Sequence, residues 1–222
     1  MAIVTIENVH KNYFLNKTAV PALQAINLVV HKGEFLAIAG PSGSGKTTLL
    51  NLIGCMDTPT SGKVFIDEVQ TDQLSSDQLA DIRREKISFI FQNFNLLPVL
   101  SAVENVEYPL LWKRLSAKEK RKKAEQALDS VGLLRFAKHK PLELSGGQQQ
   151  RTAIARAIVT DPLVILADEP TANLDHTMGE EIVNLMKKNN QEKNMTFIFS
   201  THDQKIMDKA SRIVRIWDGK LI

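Results

Sequence analysis

Apolar and polar positions alternate through Ile3-Val4-Thr5-Ile6-Glu7, and Ala25 to Val30 is rich in apolar residues. Both stretches predict strands, and His31-Lys32-Gly33-Glu34 reads as the turn that follows them. Phe35 to Ala39 is a continuous apolar run, the pattern of a strand buried on both faces. A helix-like run, Thr47 to Ile53, comes next. Asp57 to Gly62 is a turn cluster, Lys63 to Asp67 a strand, and Ser75 to Arg84 a short helix. That helix has Asp77 early and Arg83 and Arg84 late, as its dipole favours. Ile87 to Phe91 is another buried strand, with Gln92 at its end. From 93 to 143 the character changes: Pro98 and Pro109 interrupt the pattern, glycine is scarce, and Lys118 to Val131 is amphipathic and helical. This segment predicts a helical lobe inserted into a sheet domain. Ser145 has the look of an N-cap for the helical run that ends near Ile158. Strands at Leu163 to Ala167, Met195 to Ser200 and Arg212 to Trp217 alternate with a helix starting near His176, and an Asp218-Gly219 turn finishes the chain. Strand and helix in alternation predict an α/β fold with a mainly parallel sheet.

The 222 residues suffice for one large domain or two small lobes, and a hydrophobic fraction of 43% suits a globular core. The net charge of +3 is mild, and no long basic stripe argues for nucleic acid. The basic cluster Lys118 to Lys123 contains Glu119 and reads as a solvated helix face. The single cysteine, Cys55, excludes a disulfide framework and a cysteine-based zinc site, and is expected as a small buried residue. No apolar run approaches a bilayer span, and the N-terminus lacks a signal-peptide pattern. A role at a membrane therefore requires another chain to do the crossing.

The chemistry concentrates in Gly40-Pro41-Ser42-Gly43-Ser44-Gly45-Lys46-Thr47, followed by Thr48. This is a phosphate-binding loop between strand and helix. Its glycines let successive backbone N–H groups face one anion, and the new helix adds its free N–H groups and positive dipole end. Lys46 brings a cation to the β- and γ-phosphates, and the Thr47 hydroxyl suits Mg²⁺. Ser145-Gly146-Gly147-Gln148 opens a helix with two glycines that leave backbone N–H groups accessible, a second candidate anion site about a hundred residues away. Asp168 and Glu169 end an apolar strand. Asp168 is the expected Mg²⁺ partner, and Glu169 is placed to orient or deprotonate a water. His202 follows the next strand and could hold a γ-phosphate or water; Gln92 stands at a third strand end. Tyr13 offers a ring face that could stack on adenine, or it is a half-buried strand tyrosine. Phe94, Leu96, Leu97 and Val99 are core by default, with a docking surface as the alternative.

Together these stretches resemble the ATP-binding subunit of an ABC transporter. The phosphate loop matches the family's Walker A motif, Leu144 to Gln148 its LSGGQ signature, and Val164 to Glu169 its Walker B strand with the adjacent glutamate. Gln92 fits the Q-loop, Asp175 the D-loop, His202 the switch histidine and Tyr13 the adenine-stacking aromatic. Ala172 stands where many relatives carry Gly or Ser. The resemblance covers essentially the whole chain. It implies the ABC ATPase fold: a P-loop NTPase core of mainly parallel sheet with an N-terminal antiparallel β subdomain (1–92 and 144–222), and an inserted helical subdomain (93–143). At finer grain, Asn51 to Val64, Phe91 to Leu111 and Ser145 to Ile158 are similar to the lipoprotein-releasing and macrolide-export-type ATPases.

The resemblance further implies ATP and Mg²⁺ as ligands, a homodimer in the ATP-bound state, and an integral membrane permease as partner. The chain would then sit on the cytoplasmic face of the inner membrane. Two chains meeting head to tail would bring Lys46 of one to Ser145 and Gly147 of the other across a shared ATP. Thr47, Asp168 and Gln92 would attend the metal, and Glu169 and His202 the reaction. A cell-division complex of the same subfamily stays open beside export. A soluble ABC ATPase of translation or DNA repair fits less well: this chain carries one cassette, no sustained heptads and one cysteine.

Overall fold

A computed structural model of the chain describes residues 1–15 and 18–222. Two sheets form it. The first is antiparallel, in the order β2-β1-β4-β5, built from β1 (Ala2–Leu15), β2 (Thr18–His31), β4 (Ser61–Ile66) and β5 (Val69–Gln70). The second has six strands in the order β10-β9-β3-β8-β7-β6, comprising β3 (Phe35–Ala39), β6 (Ile87–Ile90), β7 (Val164–Ala167), β8 (Thr196–Thr201), β9 (Arg212–Trp217) and β10 (Lys220–Leu221). All its pairings are parallel except that of β10 with β9.

The central strands of the second sheet are buried along their whole length. Alternate side chains divide between two cores. Leu36, Ile38, Val164, Leu166 and Ile198 face the antiparallel sheet and α1 (Lys46–Ile53). Phe35, Ala37, Ile165, Ala167, Phe197 and Phe199 face the other way. That second face is covered by α3 (Ala102–Glu107), α4 (Ala117–Ser130), α5 (Gly146–Ile158) and α6 (His176–Lys193). Two further helices, α2 (Ser76–Lys86) and α7 (Gln204–Met207), lie between strands in sequence. Continuous apolar runs are what double-sided burial demands, and these strands carry them.

Helix starts are written locally. Ser75, Ser101, Ser116 and Ser145 each cap a helix, and Gln78, Glu104, Glu119 and Gln148 three residues on complete the reciprocal bond. Segment 93–143 holds α3, α4 and short 3-10 turns at Tyr108–Trp112, Leu134–Phe136 and Pro141–Glu143. Cys55 is buried as expected, and burial pushes its thiol up to about 11.

Some elements differ from their sequence signal. Tyr13 lies within β1, opposite Val20, beyond the stretch Ile3 to Glu7 that the alternation marked. Ser61 and Gly62 already belong to β4. The two-residue strands β5 and β10 are too short to show a period. Phe94 and Leu96 are only half-buried, and Leu97 and Val99 are exposed, so the 94–99 run is not core.

Candidate functional site

The sheet order puts β3, β8 and β7 side by side, so the segments leaving their carboxyl ends meet at one edge. From β3 the chain enters the glycine loop. Gly45 has φ 108°, a conformation open to glycine, and a β-carbon there would lie 2.7 Å from the Ala22 carbonyl oxygen. The Lys46 side chain is buried and curls back on the loop: its ammonium donates to the carbonyls of Gly40 and Pro41, each at 2.9 Å. Pro41, Ser42 and Gly43 form the exposed rim, Ser44 is buried with its hydroxyl unpartnered among the described residues, and Thr47 opens to solvent beside half-buried Thr48.

The end of β7 supplies two carboxylates with separate partners. Asp168 accepts from the Thr47 hydroxyl at 2.9 Å and from the Ser200 hydroxyl at 2.6 Å. Glu169 sits at φ 44°, a strained conformation for a residue with a side chain. Its N–H donates to Ser200 at 2.9 Å, so one hydroxyl fixes both acids. The Glu169 carboxylate lies 3.7 Å from the Lys46 ammonium and 3.4 Å from Nδ1 of the exposed His202. Lys46, Thr47, Asp168, Glu169 and His202 thus form one connected group. Ser200 completes it, and sequence reasoning missed it because an unremarkable strand-end serine carries no spacing signal.

The remaining candidates lie outside this network. Gln92 is exposed just past β6; its carbonyl accepts from Asn173 at 3.0 Å. Tyr13 donates its hydroxyl to Asp57 at 2.9 Å, and Asp57 pairs with the Lys11 ammonium at 2.6 Å. That ammonium also sits 5.0 Å from the Tyr13 ring centroid. Burial and the Asp57 carboxylate raise the tyrosine's pKa. Burial alone would raise Asp57, but Lys11, the Thr58 N–H and Tyr13 outweigh it and hold its carboxyl below the ordinary range. Ser145 caps α5, accepting from the Gln148 N–H. A β-carbon on Gly147 would come within 2.4 Å of the Met178 sulfur, so α6 packs closely against this turn. No hydrogen bond joins Ser145 to Gln148 with the phosphate loop among the described residues.

A separate cleft of about 560 Å³ opens beside the segment after Gln92. Met56, Phe89, Phe91, Tyr108 and Trp112 line it, with Arg83, Arg84 and Arg156 among its polar groups. Trp112 is 68% exposed. Arg156, from α5, donates to the carbonyls of Phe94 at 2.7 Å and Asn95 at 2.5 Å, two residues of positive φ. Burial lowers the Arg156 pKa. Phe94, Leu96, Leu97 and Val99, for which a docking surface was the alternative to core, do not line this cleft, though their neighbour Asn95 does.

Residues 23–172 match the sequence profile of the family described as ABC transporter. The chain belongs to the ABC transporter family. Within it, the chain is an ATP-binding cassette, an ATPase built on a P-loop. An uncharacterized ABC transporter ATP-binding protein of Methanocaldococcus jannaschii, MJ0796, is 49% identical over 223 residues, covering 99% of this chain and 95% of that protein. A macrolide export ATP-binding/permease protein, MacB, of Syntrophobacter fumaroxidans is 46% identical over 221 residues, covering 99% of this chain but 31% of that longer protein. Among solved structures, a dimeric post-hydrolysis state of the ATP-binding cassette MJ0796 bound to ADP and Pi aligns with a TM-score of 0.90 at 49% identity, covering 98% of this chain and 96% of that one. The ABC cassette fold expected from the sequence is thus the fold observed.

Proposed function

We propose that this ABC ATPase binds ATP between two copies of itself and drives a partner membrane protein, in the manner of lipoprotein-release and export systems. The observation that carries the reading is the joined group of Lys46, Thr47, Asp168, Glu169 and His202 at one sheet edge, with a second helix N-terminus at Ser145 that this group does not reach. Dimeric structures of the 49%-identical cassette support the pairing. Macrolide export relatives in which the matching region is about a third of an ATP-binding/permease protein support a membrane partner and favour export. No helix among the described residues is long and apolar enough to cross a membrane.

The residues present fit their ligands. Lys46 is a buried ammonium held by two neutral carbonyls, and its nearest carboxylate stands off at 3.7 Å; a phosphate oxygen is the anion such a cation lacks. Gly40 to Thr48 cradle the phosphates, and Tyr13 stacks on adenine. Ser145, Gly146, Gly147 and Gln148 approach the γ-phosphate of the opposite chain's ATP. Thr47 and Asp168, already 2.9 Å apart, are oxygen donors of the kind Mg²⁺ takes, with Gln92 the third candidate. The metal would neutralise charge on the β- and γ-phosphate oxygens. Ser200 and the Lys46 ammonium hold Glu169 in place to accept a proton from the attacking water. His202 steadies the γ-phosphate.

The division of labour follows the chain. Residues 1–92 and 144–222 form the nucleotide-binding core, and 93–143 the helical subdomain that transmits closure. The cleft beside Gln92 takes a short helix of the membrane partner against Phe89, Tyr108 and Trp112. It touches the signature helix through Arg156, and Phe91 on its wall directly precedes Gln92. The cassette would then sit on the cytoplasmic face of the membrane.

Two experiments test these assignments. Tagged chain purified from detergent-solubilised membranes of its own source is expected to bring a stoichiometric membrane protein, and Trp112→Glu to lose it while ATP turnover of the isolated chain persists. Retention of the partner by Trp112→Glu moves the docking site elsewhere. For the adenine contact, Tyr13→Ala should raise the ATP Kd by roughly fivefold to tenfold, about the worth of one aromatic stack. A fluorescent-ATP titration with unchanged Kd would return Tyr13 to a purely structural role.

A further inference from the structure

Gln150 is wholly buried one turn and a half into α5. Its side-chain N–H donates to the carbonyl of Pro170 at 2.6 Å, and its side-chain oxygen has no partner among the described residues. Pro170 directly follows Glu169, whose backbone is strained at φ 44°. A buried amide with one of its two polar atoms left unbonded is a poor choice for stability alone. Strained backbone persists only where surrounding contacts hold it. Here the holding contact on the far side of Glu169 comes from α5, while Ser200 holds the near side through the Glu169 N–H.

Other contacts in the same stretch run to the same helix. A β-carbon on Gly146 would meet Leu174 at 3.5 Å, and one on Gly147 would overlap Met178, which follows the Asp175 cap of α6. The chain from Pro170 to Met178 therefore wraps the first turns of α5. We infer that Gln150 is a positioning residue: through the Pro170 carbonyl it sets the aim of the Glu169 carboxylate and ties that aim to the helix capped by Ser145. This deepens the proposed function and rests on its assignment of Glu169. In the paired arrangement Ser145 faces the opposite chain's ATP, so a shift of α5 on engaging that nucleotide moves the backbone beside the chain's own Glu169. The chain's two half-sites are then linked within one rigid unit.

Gln150→Met keeps the volume and removes the donor. It trades one unpartnered acceptor, the Gln150 oxygen, for another, the Pro170 carbonyl, so the melting temperature should stay within a few degrees. Steady-state phosphate release with Mg²⁺ and ATP should show kcat lowered roughly tenfold to a hundredfold, as a slightly misplaced reacting group does, with KM for ATP nearly unchanged. Combined with Glu169→Gln, the Met substitution should cost almost nothing further, because both act on one group. A folded Gln150→Met with undiminished kcat overturns the inference. So does a loss that adds fully to that of Glu169→Gln. If Glu169→Gln itself retains turnover, the assignment of Glu169 fails instead, and the two failures are distinguishable.

Discussion

Glu169→Gln is expected to hold ATP nearly as well as the native chain and to lose at least about a hundredfold in kcat, the scale of a removed general base. The amide keeps the size and the neighbours of the acid, Lys46 at 3.7 Å and His202 at 3.4 Å, but it cannot take a proton from water. The phosphate cradle and the Asp168 bonds to Thr47 and Ser200 are untouched, so binding persists. Single-turnover phosphate release beside a binding titration separates the two quantities. Equal losses in affinity and turnover would mean that Glu169 serves the ground state.

Lys46→Ala is expected to fail earlier, at binding. Removing a buried cation from its phosphate takes away the one side-chain charge the loop itself supplies. The loss of one partner from a buried charged pair is worth about 2–5 kcal/mol, which raises the ATP Kd between roughly thirtyfold and several thousandfold. The same change strips the Gly40 and Pro41 carbonyls of their donor, so a thermal melt without nucleotide should also fall. A fluorescent-ATP titration giving a Kd within a factor of three of native would remove Lys46 from the phosphate site.

The sequence carried a large share of this site for physical reasons that can be traced. Strands β3, β7 and β8 are buried on both faces, so their runs are continuously apolar and their ends stand out where polar residues begin. Asp168, Glu169 and His202 were legible as strand-end polar residues, and the glycine loop by its own spacing. Their convergence depends on the order β3-β8-β7, which no local pattern encodes. For that reason Ser200 escaped notice: its bonds to Asp168 and Glu169 span more than thirty residues. Gln150 was hidden likewise, since a polar residue on a helix reads as solvent-facing until the segment from Pro170 is folded over it. The run from Phe94 to Val99 shows the opposite error. Apolar character suggested core, but the positive φ of Phe94 and Asn95, held by Arg156, turns the chain along the surface. The family resemblance supplied what residues alone left open, above all the reading of Ser145 to Gln148 as a contact for another chain's nucleotide.

Pairing of two chains around ATP is read from the mass of Glu169→Gln with Mg²⁺ and ATP, measured by light scattering after size exclusion. A species of twice the single-chain mass with one ATP per chain is expected, reverting to one chain when nucleotide is withdrawn. A single chain with ATP confirmed in its site would contradict it.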